Sequence, residues 1–179
     1  MSREIFSIGH STHTLEKFVE LAQMHGITVL ADVRTAPRSR RVPHFNSEFF
    51  GASLAQRGIA YRPMPALGGL RRPDPGSKNL GWKVPGFRAY ADYMQTPAFE
   101  ESLAELVAVA EERTTAYMCA EGLWWKCHRR LISDALSVRG WTVRHILSDG
   151  KMVDHVLPEF AVIEGTRLSY PPAQSSLDV

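Results

Sequence analysis

Hydrophobic runs alternate with amphipathic runs along the chain, a pattern typical of α/β proteins. Five short apolar runs predict strands, at residues 5–9, 27–33, 59–64, 114–119 and 141–147. Because amphipathic segments separate them, we expect a single α/β domain over residues 1–165, with a mainly parallel open sheet of about five strands and helices on both faces. Residues 166–179, which contain prolines and serines, are predicted to form a loose C-terminal tail.

The segments between the strands carry signals for helices and for one long loop. Thr14, Ser47 and Thr96 are predicted N-caps, because their hydroxyl groups can accept the free N–H groups of a first helical turn. Another helix is predicted over residues 127–138. Residues 65–85, rich in Gly, Pro and Arg, are too long for an ordinary connection, and such loops are usually functional or disordered.

Composition narrows the class of protein. Hydrophobic residues make up 44% of the 179 residues, which is enough for one substantial core. Only two cysteines occur, so a disulfide-stapled secreted scaffold is disfavoured. The N-terminus shows no signal-peptide pattern, and no apolar run approaches the length that spans a bilayer. We therefore expect a cytoplasmic protein with no membrane partner.

The net charge of +2 conceals an uneven distribution. Residues 34–88 contain eleven Lys/Arg and two Asp/Glu, a net charge of +9, whereas the remainder contains ten basic and seventeen acidic residues, a net charge of −7. Such asymmetry favours an anionic partner for the basic segment. The alternative is a solvated basic loop whose charges pair with the acidic helices.

Polar segments follow four of the predicted strands, at the edge where open α/β sheets bind ligands. They are residues 10–12, 34–41, 67–73 and 119–130. Arginine suits bidentate recognition of phosphate, so these segments supply the candidate anion-binding residues. The candidates are Ser11, Arg34, Arg38, Arg40, Arg71 and Arg129. Alternatively, Arg34 is held by a buried partner as structural support, and Arg40 lies on the surface.

Cys119 ends the fourth predicted strand and is the leading candidate nucleophile. A thiol that faces a helix start and arginines is expected to have a lowered pKa and to be nucleophilic. The alternative is that Cys119 is buried and packs as a small hydrophobic residue. Glu121, His128 and His10 are candidate catalytic acids or bases, with an ion pair to a neighbouring arginine as the alternative for Glu121. A cysteine-phosphatase loop is disfavoured, because Trp125 stands where its arginine would be.

Zinc and redox chemistry are two alternatives for the same segment. Cys119, Cys127, His128 and His10 are residue types that bind zinc. The seven-residue gap between the cysteines is not a knuckle spacing, however, and adjacent Cys127 and His128 are expected to diverge on a helix. A redox pair of Cys119 and Cys127 is the other alternative. We therefore predict no metal and no other cofactor.

Tryptophans lie close to the basic segments in the sequence. Trp82, Trp124 and Trp125 offer flat surfaces on which nucleobases could stack. The alternative for each of them is ordinary packing in the core or in a loop.

Several ordered motifs together resemble the bacterial "domain of unknown function 488" family. They are IGHST, DVR, PRSR, LGG, YADYM and CAE followed by WW and CHRRLI, and the resemblance runs from about Ile5 to Tyr170. The resemblance implies a small α/β protein and no established reaction. The motifs fall on His10, Ser11, Asp32, Arg34, Arg38, Arg40, Gly68, Gly69, Cys119, Glu121, Cys127, His128 and Arg129. One departure is Pro85 and Gly86, where the family pattern is expected to carry polar residues.

The residues lead to two hypotheses for function. The first is an enzyme that acts on a phosphate-bearing partner, a nucleotide or a nucleic acid, with arginines on the phosphate, aromatic rings on the base, and Cys119 with Glu121 performing the chemistry. The second is a non-catalytic nucleic-acid-binding module with structural cysteines, whose affinity would fall steeply with salt. Nothing in the sequence predicts the oligomeric state.

Overall fold

The computed structural model describes residues 3–173, which form a six-stranded sheet in the order β3-β2-β4-β1-β5-β6. The strands are β1 (Glu4–Gly9), β2 (Val29–Asp32), β3 (Ala60–Pro63), β4 (Thr115–Cys119), β5 (Thr142–Ile146) and β6 (Met152–Asp154). The first five are parallel and β6 pairs antiparallel with β5. A separate hairpin consists of β7 (Val162–Glu164) and β8 (Arg167–Ser169). The predicted, mainly parallel sheet is confirmed, and β6 extends it at one edge.

Five α-helices connect and cover the strands: α1 (Leu15–Met24), α2 (Ser47–Ala55), α3 (Pro85–Met94), α4 (Pro97–Glu112) and α5 (Arg129–Ser137). Thr14 and Thr96 accept N–H bonds from the first turns of α1 and α4, as predicted. The predicted cap at Ser47 is wrong, because Asn46 occupies the cap position. Helix α5 begins two residues later than predicted, because Cys127 has an extended backbone. No helix within residues 3–173 has both the length and the apolar character needed to cross a membrane.

The sheet has a hydrophobic core on each face, because successive strand residues point to opposite sides. Phe6 and Leu30 contribute to the core that α1 and α2 cover. Ile5 and Ala31 contribute to the core that α3, α4 and α5 cover. Helices therefore pack on both faces, as the sequence predicts.

Strands β1 and β4 lie side by side at the centre of the sheet, and the chain leaves them towards opposite faces, to α1 and to α5. Their pairing continues past the strand ends: His10 N–H donates to the Cys119 carbonyl at 3.0 Å, and Ser11 N–H donates to the Ala120 carbonyl at 2.9 Å. Gly9 permits this approach, since a Cβ there would clash with the carbonyl of Glu121. The loop after β4 is therefore held against β1, where α/β sheets form ligand crevices.

The predicted loose tail is wrong for the part that includes β8. Leu168 is buried, and Tyr170 is fully buried with its hydroxyl donating to Asp134 Oδ2 at 2.7 Å. This segment is therefore anchored to α5. Residues 174–179, the remainder of the predicted tail, lie outside the described residues.

Candidate functional site

Two adjoining clefts open at the carboxyl edge of the sheet. The main cleft has a volume of about 1140 Å³ and is lined by segments that follow β2, β3 and β4, by the loop before α3 and by the start of α5. The second cleft, of about 410 Å³, is lined by residues after β1 and β2. Both are lined by Arg34, Ala36, Ala120 and Glu121. All four predicted strand-end segments thus meet at one edge, divided between two clefts.

Cys119, Cys127 and His128 form a sulfur–imidazole cluster in the wall of the main cleft. His128 Nδ1 lies 3.5 Å from Cys127 Sγ and 4.0 Å from Cys119 Sγ. His128 Nε2 lies 2.9 Å from the carbonyl oxygen of Val33. A carbonyl can only accept, so Nε2 carries the proton and Nδ1 presents its lone pair to the sulfurs. The expectation that Cys127 and His128 diverge on a helix is wrong, because both precede α5.

Arg129 lies beneath this cluster, buried in the core and only 1% exposed. Its guanidinium donates to Cys127 Sγ at 3.5 Å, to Ser7 Oγ at 3.0 Å and to the carbonyl of Glu121. The side chain lines neither cleft, so the predicted anion-binding role of Arg129 is not supported by its position. It ties the loop after β4 to β1 and places a positive charge beside Cys127.

The two cysteines shift each other's pKa in opposite directions. The hydrogen bond from the Cys119 thiol, helped by the Arg129 guanidinium and opposed by burial, holds the pKa of Cys127 well below its ordinary value. The same hydrogen bond, together with burial, raises the pKa of Cys119. The predicted lowering of the Cys119 pKa is therefore wrong, and the lowered pKa belongs to Cys127.

Arg34 is held by a buried ion pair, which is the structural alternative that the sequence left open. Its Nε and Nη2 donate to the Asp32 carboxylate at 2.9 and 2.6 Å, and its Nη1 lies 3.3 Å from His10 Nε2. Since arginine only donates, His10 carries its proton on Nδ1, which donates to the Ser11 carbonyl at 2.8 Å. Burial lowers the pKa of His10 to about 4. With both nitrogens engaged, His10 is placed to orient Arg34 rather than to exchange protons with a ligand.

The other predicted anion-binding residues divide between clefts and surface. Ser11 and Arg38 line the second cleft, and Ser11 has a φ of +47°, in the left-handed region that non-glycine residues rarely adopt. Arg40 is exposed and lines neither cleft. Arg71 also lies outside both clefts, because its guanidinium bonds carbonyls of its own loop and sits 3.4 Å above the ring of Tyr93. Arg40 and Arg71 are therefore not placed at the predicted site.

Aromatic rings form part of the main cleft. Trp82 and Trp125 line it, together with Phe87 and Phe160. Trp124 does not, because its indole stacks on His145 with ring centroids 4.0 Å apart. The predicted stacking role is thus compatible with the position of Trp125, whereas Trp82 is only 4% exposed and Trp124 lies outside the cleft.

Three cations in the main cleft are absent from the predicted site: Lys83, Lys126 and Arg130. Within residues 3–173 none of them forms an ion pair.

The periodicity of α5 could have shown which of the adjacent Arg129 and Arg130 faces the core. Residues three and seven after Arg129 are the apolar Ile132 and Leu136, whereas those after Arg130 are polar, so Arg129 belongs to the core face.

Glu121 lines both clefts and is exposed. One carboxylate oxygen accepts the backbone N–H of Leu123 at 2.9 Å. In the described part of the chain the carboxylate has no ion-pair partner, so the structural alternative for Glu121, pairing with a nearby arginine, is wrong. Its second oxygen is available to a ligand in either cleft.

Comparison with known proteins identifies the family of this chain but no similar individual protein. Residues 14–136 match the family described as "Domain of unknown function DUF488". Neither the curated proteins nor the solved structures gave a significant match. The matched range contains β2, β3, β4 and the whole sulfur–imidazole cluster. The chain therefore belongs to the DUF488 family.

Proposed function

We propose that this protein is an enzyme that acts on a nucleotide, either free or within a nucleic acid, bound in the main cleft. The observation that carries the proposal is the composition of one cleft wall, in which unpaired cations, aromatic rings and the sulfur–imidazole cluster face the same space. Such a combination of an apolar pocket with a few convergent polar groups is typical of small-molecule sites.

The cations supply the part of the cleft that suits a phosphate. Lys83 and Lys126 are exposed, and Arg130 is half-buried with its guanidinium 4.8 Å from the ring of Trp82. The Nε of Arg130 is buried and has no hydrogen-bond partner among the described residues. Positive charges that form no ion pair with the described residues attract anions, and an arginine fork fits phosphate oxygens.

The aromatic residues supply the part that suits a base. The Trp82 ring meets Phe87 and Phe160 edge-on, with centroids 5.2 and 5.0 Å away, so its position is fixed by packing. Its Nε1 is buried without a partner among residues 3–173 and is therefore a donor that a base carbonyl or ring nitrogen could satisfy. Trp125 is 43% exposed and offers the surface for stacking, which contributes about 1–3 kcal/mol per base.

Reactive groups adjoin this binding surface, which favours an enzyme over a simple binding module. Glu121 has one oxygen free for a proton transfer, and Cys119, Cys127 and His128 lie in the same wall. A module that only binds nucleic acid needs cations and aromatic rings but no sulfurs or imidazole at the cleft.

Binding is tested with calorimetric titration of 5′-nucleotides and a short single-stranded oligonucleotide. Replacing Lys126 by Ala or Arg130 by Gln removes a charged partner worth about 1.5–3 kcal/mol, so each should weaken binding about tenfold or more. Lys78→Ala is the matched control, because Lys78 is an exposed cation outside both clefts. Equal weakening by the control would contradict binding in the main cleft.

Catalysis is tested by following nucleotide and oligonucleotide substrates by mass spectrometry. Cys119→Ser and Glu121→Gln should each abolish turnover and leave substrate affinity within about threefold of wild type, since neither residue carries the phosphate-binding charge. Undiminished turnover in both variants would exclude these residues from the chemistry. Binding with a steep salt dependence and no turnover by the wild-type protein would favour the non-catalytic nucleic-acid-binding module.

A further inference from the structure

We propose that Cys119, Cys127 and His128 bind a zinc ion whose fourth coordination position opens into the main cleft. The proposal goes beyond the proposed function, because it rests on the geometry of the sulfur–imidazole cluster and not on the identity of the substrate. It also reverses the expectation from the sequence, where the spacing of these residues argued against a metal.

The distances in the cluster are close to those of a tetrahedral zinc site. Zinc lies about 2.3 Å from a cysteine sulfur and about 2.0–2.1 Å from a histidine nitrogen, so two such ligands at the tetrahedral angle are about 3.5 Å apart. His128 Nδ1 lies 3.5 Å from Cys127 Sγ and 4.0 Å from Cys119 Sγ. All three ligand atoms lie within 4.8 Å of one another. One ion can therefore contact all three after only small side-chain movements.

The imidazole is already in the tautomer that a metal requires. Metal-binding histidines almost always donate their second ring N–H to a carboxylate, a carbonyl or water, which fixes the ring and leaves the other nitrogen free. In His128 that donor is Nε2, which bonds the Val33 carbonyl at 2.9 Å, and the free nitrogen is Nδ1, which faces the sulfurs. His10, the other candidate ligand from the sequence, has both nitrogens engaged by protein groups and is excluded.

The sulfur of Cys127 also has an N–H group beside it that would support a thiolate ligand. Arg129 Nε donates to Cys127 Sγ at 3.5 Å. Outer contacts of this kind orient metal ligands and adjust their charge. Two thiolates would neutralise a divalent zinc, so the buried guanidinium would not face a net positive ion.

The set of ligands selects zinc and an open site. Thiolate and imidazole ligands favour zinc over magnesium or calcium, which prefer oxygen. Three protein ligands, including two Cys with one His, are typical of catalytic zinc sites, whereas structural sites use four. Because Cys119, Cys127 and His128 all line the main cleft, the remaining position would hold water or a substrate oxygen.

The test measures metal binding directly on the whole 179-residue chain, with no assay of activity. The reduced protein is stripped with a chelator and titrated with zinc against a chromophoric competitor, and metal content is measured by elemental analysis. Substitution by cobalt should give the visible absorption of a tetrahedral site together with a thiolate-to-metal band. We expect one zinc per chain. In Cys127→Ser and His128→Gln the zinc affinity should fall about 100-fold or more.

His25→Gln is the matched control, because His25 Nε2 also bonds a backbone carbonyl, that of Gly150, at 2.9 Å but has no part in the cluster. Zinc affinity should be unchanged in this variant. Absence of stoichiometric zinc in the wild-type protein, or equal affinity in His128→Gln, would overturn the proposal. If Cys127→Ser does not fold, the cobalt spectrum of the wild-type protein decides between tetrahedral thiolate ligation and none.

The outcomes for metal and for function are separable. Nucleotide affinity of the zinc-free protein is measured in parallel with zinc affinity. A protein that binds nucleotides but no zinc overturns the metal site alone, whereas a protein that binds zinc but no nucleotide overturns the proposed substrate alone.

Discussion

Replacing Arg34 by methionine tests the buried ion pair at the end of β2. Arg34 and Asp32 are 7% and 1% exposed, and the guanidinium donates to both carboxylate oxygens, at 2.9 and 2.6 Å. Methionine has no charge, so among the described residues Asp32 would retain one side-chain donor, the Tyr61 hydroxyl at 2.5 Å. Removing one partner of a buried pair costs about 3–5 kcal/mol, because a buried charge is left uncompensated. We expect a loss of that size in the free energy of unfolding.

Urea denaturation measures the loss, and a double-mutant cycle with Asp32→Asn isolates the pair. The loss in free energy of unfolding in the double variant should be smaller, by at least about 2 kcal/mol, than the sum of the losses in the two single variants. The reason is that the second change removes a charge that has already lost its partner. Added salt should not reduce the effect, because the pair is shielded from solvent. Glu100→Gln is the control: it breaks the exposed pair with Arg139 and should cost about 1 kcal/mol or less. Additive costs in the cycle would refute this reasoning.

Three further perturbations test other parts of the structure. Gly9→Ala should destabilise the protein by about 1–3 kcal/mol, measured by thermal unfolding, because the new Cβ meets the carbonyl of Glu121. Burial, then the neighbouring imidazole and guanidinium, lower the pKa of His145 to about 2 from 6.5. Between pH 6.5 and pH 2 only the unfolded chain therefore binds a proton at His145, so the free energy of unfolding falls as pH falls. The fall from pH 7 to pH 5 should be about 2 kcal/mol, and His145→Asn should remove it. In calorimetric titration with oligonucleotides, Arg38→Gln should weaken binding about tenfold and Arg40→Gln should not, because only Arg38 lines a cleft.

Each of these three predictions has a result that would contradict it. Gly86→Ala is the control for the glycine change, because nothing lies within 4 Å of a Cβ there, and equal destabilisation would refute the steric argument. An unchanged pH profile in His145→Asn would show that other groups cause the acid sensitivity. His155 and Arg129 are the groups that face His145 electrostatically, and the Asp134 carboxylate bonds His155 at 2.6 Å. Equal binding by the two arginine variants would exclude the second cleft from ligand contact.

The α/β fold could be predicted because its signals are local. Five apolar runs gave the five parallel strands, and the hydroxyl groups of Thr14 and Thr96 marked two helix starts. The convergence of strand-end segments follows from parallel topology alone. Strands β6, β7 and β8 were missed because each has only three residues, which is too short for a strand pattern to be read, and the residues of β6 and β7 are exposed although most of them are apolar.

The roles of individual site residues could not be predicted, because they depend on contacts between distant parts of the chain. Arg129 is buried through a bond to Ser7, which is 122 residues away. The opposite pKa shifts of Cys119 and Cys127 depend on the closeness of the two thiols, across a loop whose backbone the sequence did not define. The extended backbone at Cys127 follows a short 3₁₀ helix at Trp124–Lys126, whereas the sequence predicted that the α-helix begins at Cys127 itself.

The position of β4 between β1 and β2 has a consequence for synthesis on the ribosome. Of the strands made before it, only β2 and β3 are neighbours, and β1 pairs solely with β4 and β5. Until residues 115–119 have emerged, the apolar faces of α1 and α2 therefore lack a completed sheet to cover. Such non-local pairing is slow and leaves apolar surface exposed meanwhile. We expect nascent chains that stop before β4 to be held by chaperones and to lack both clefts.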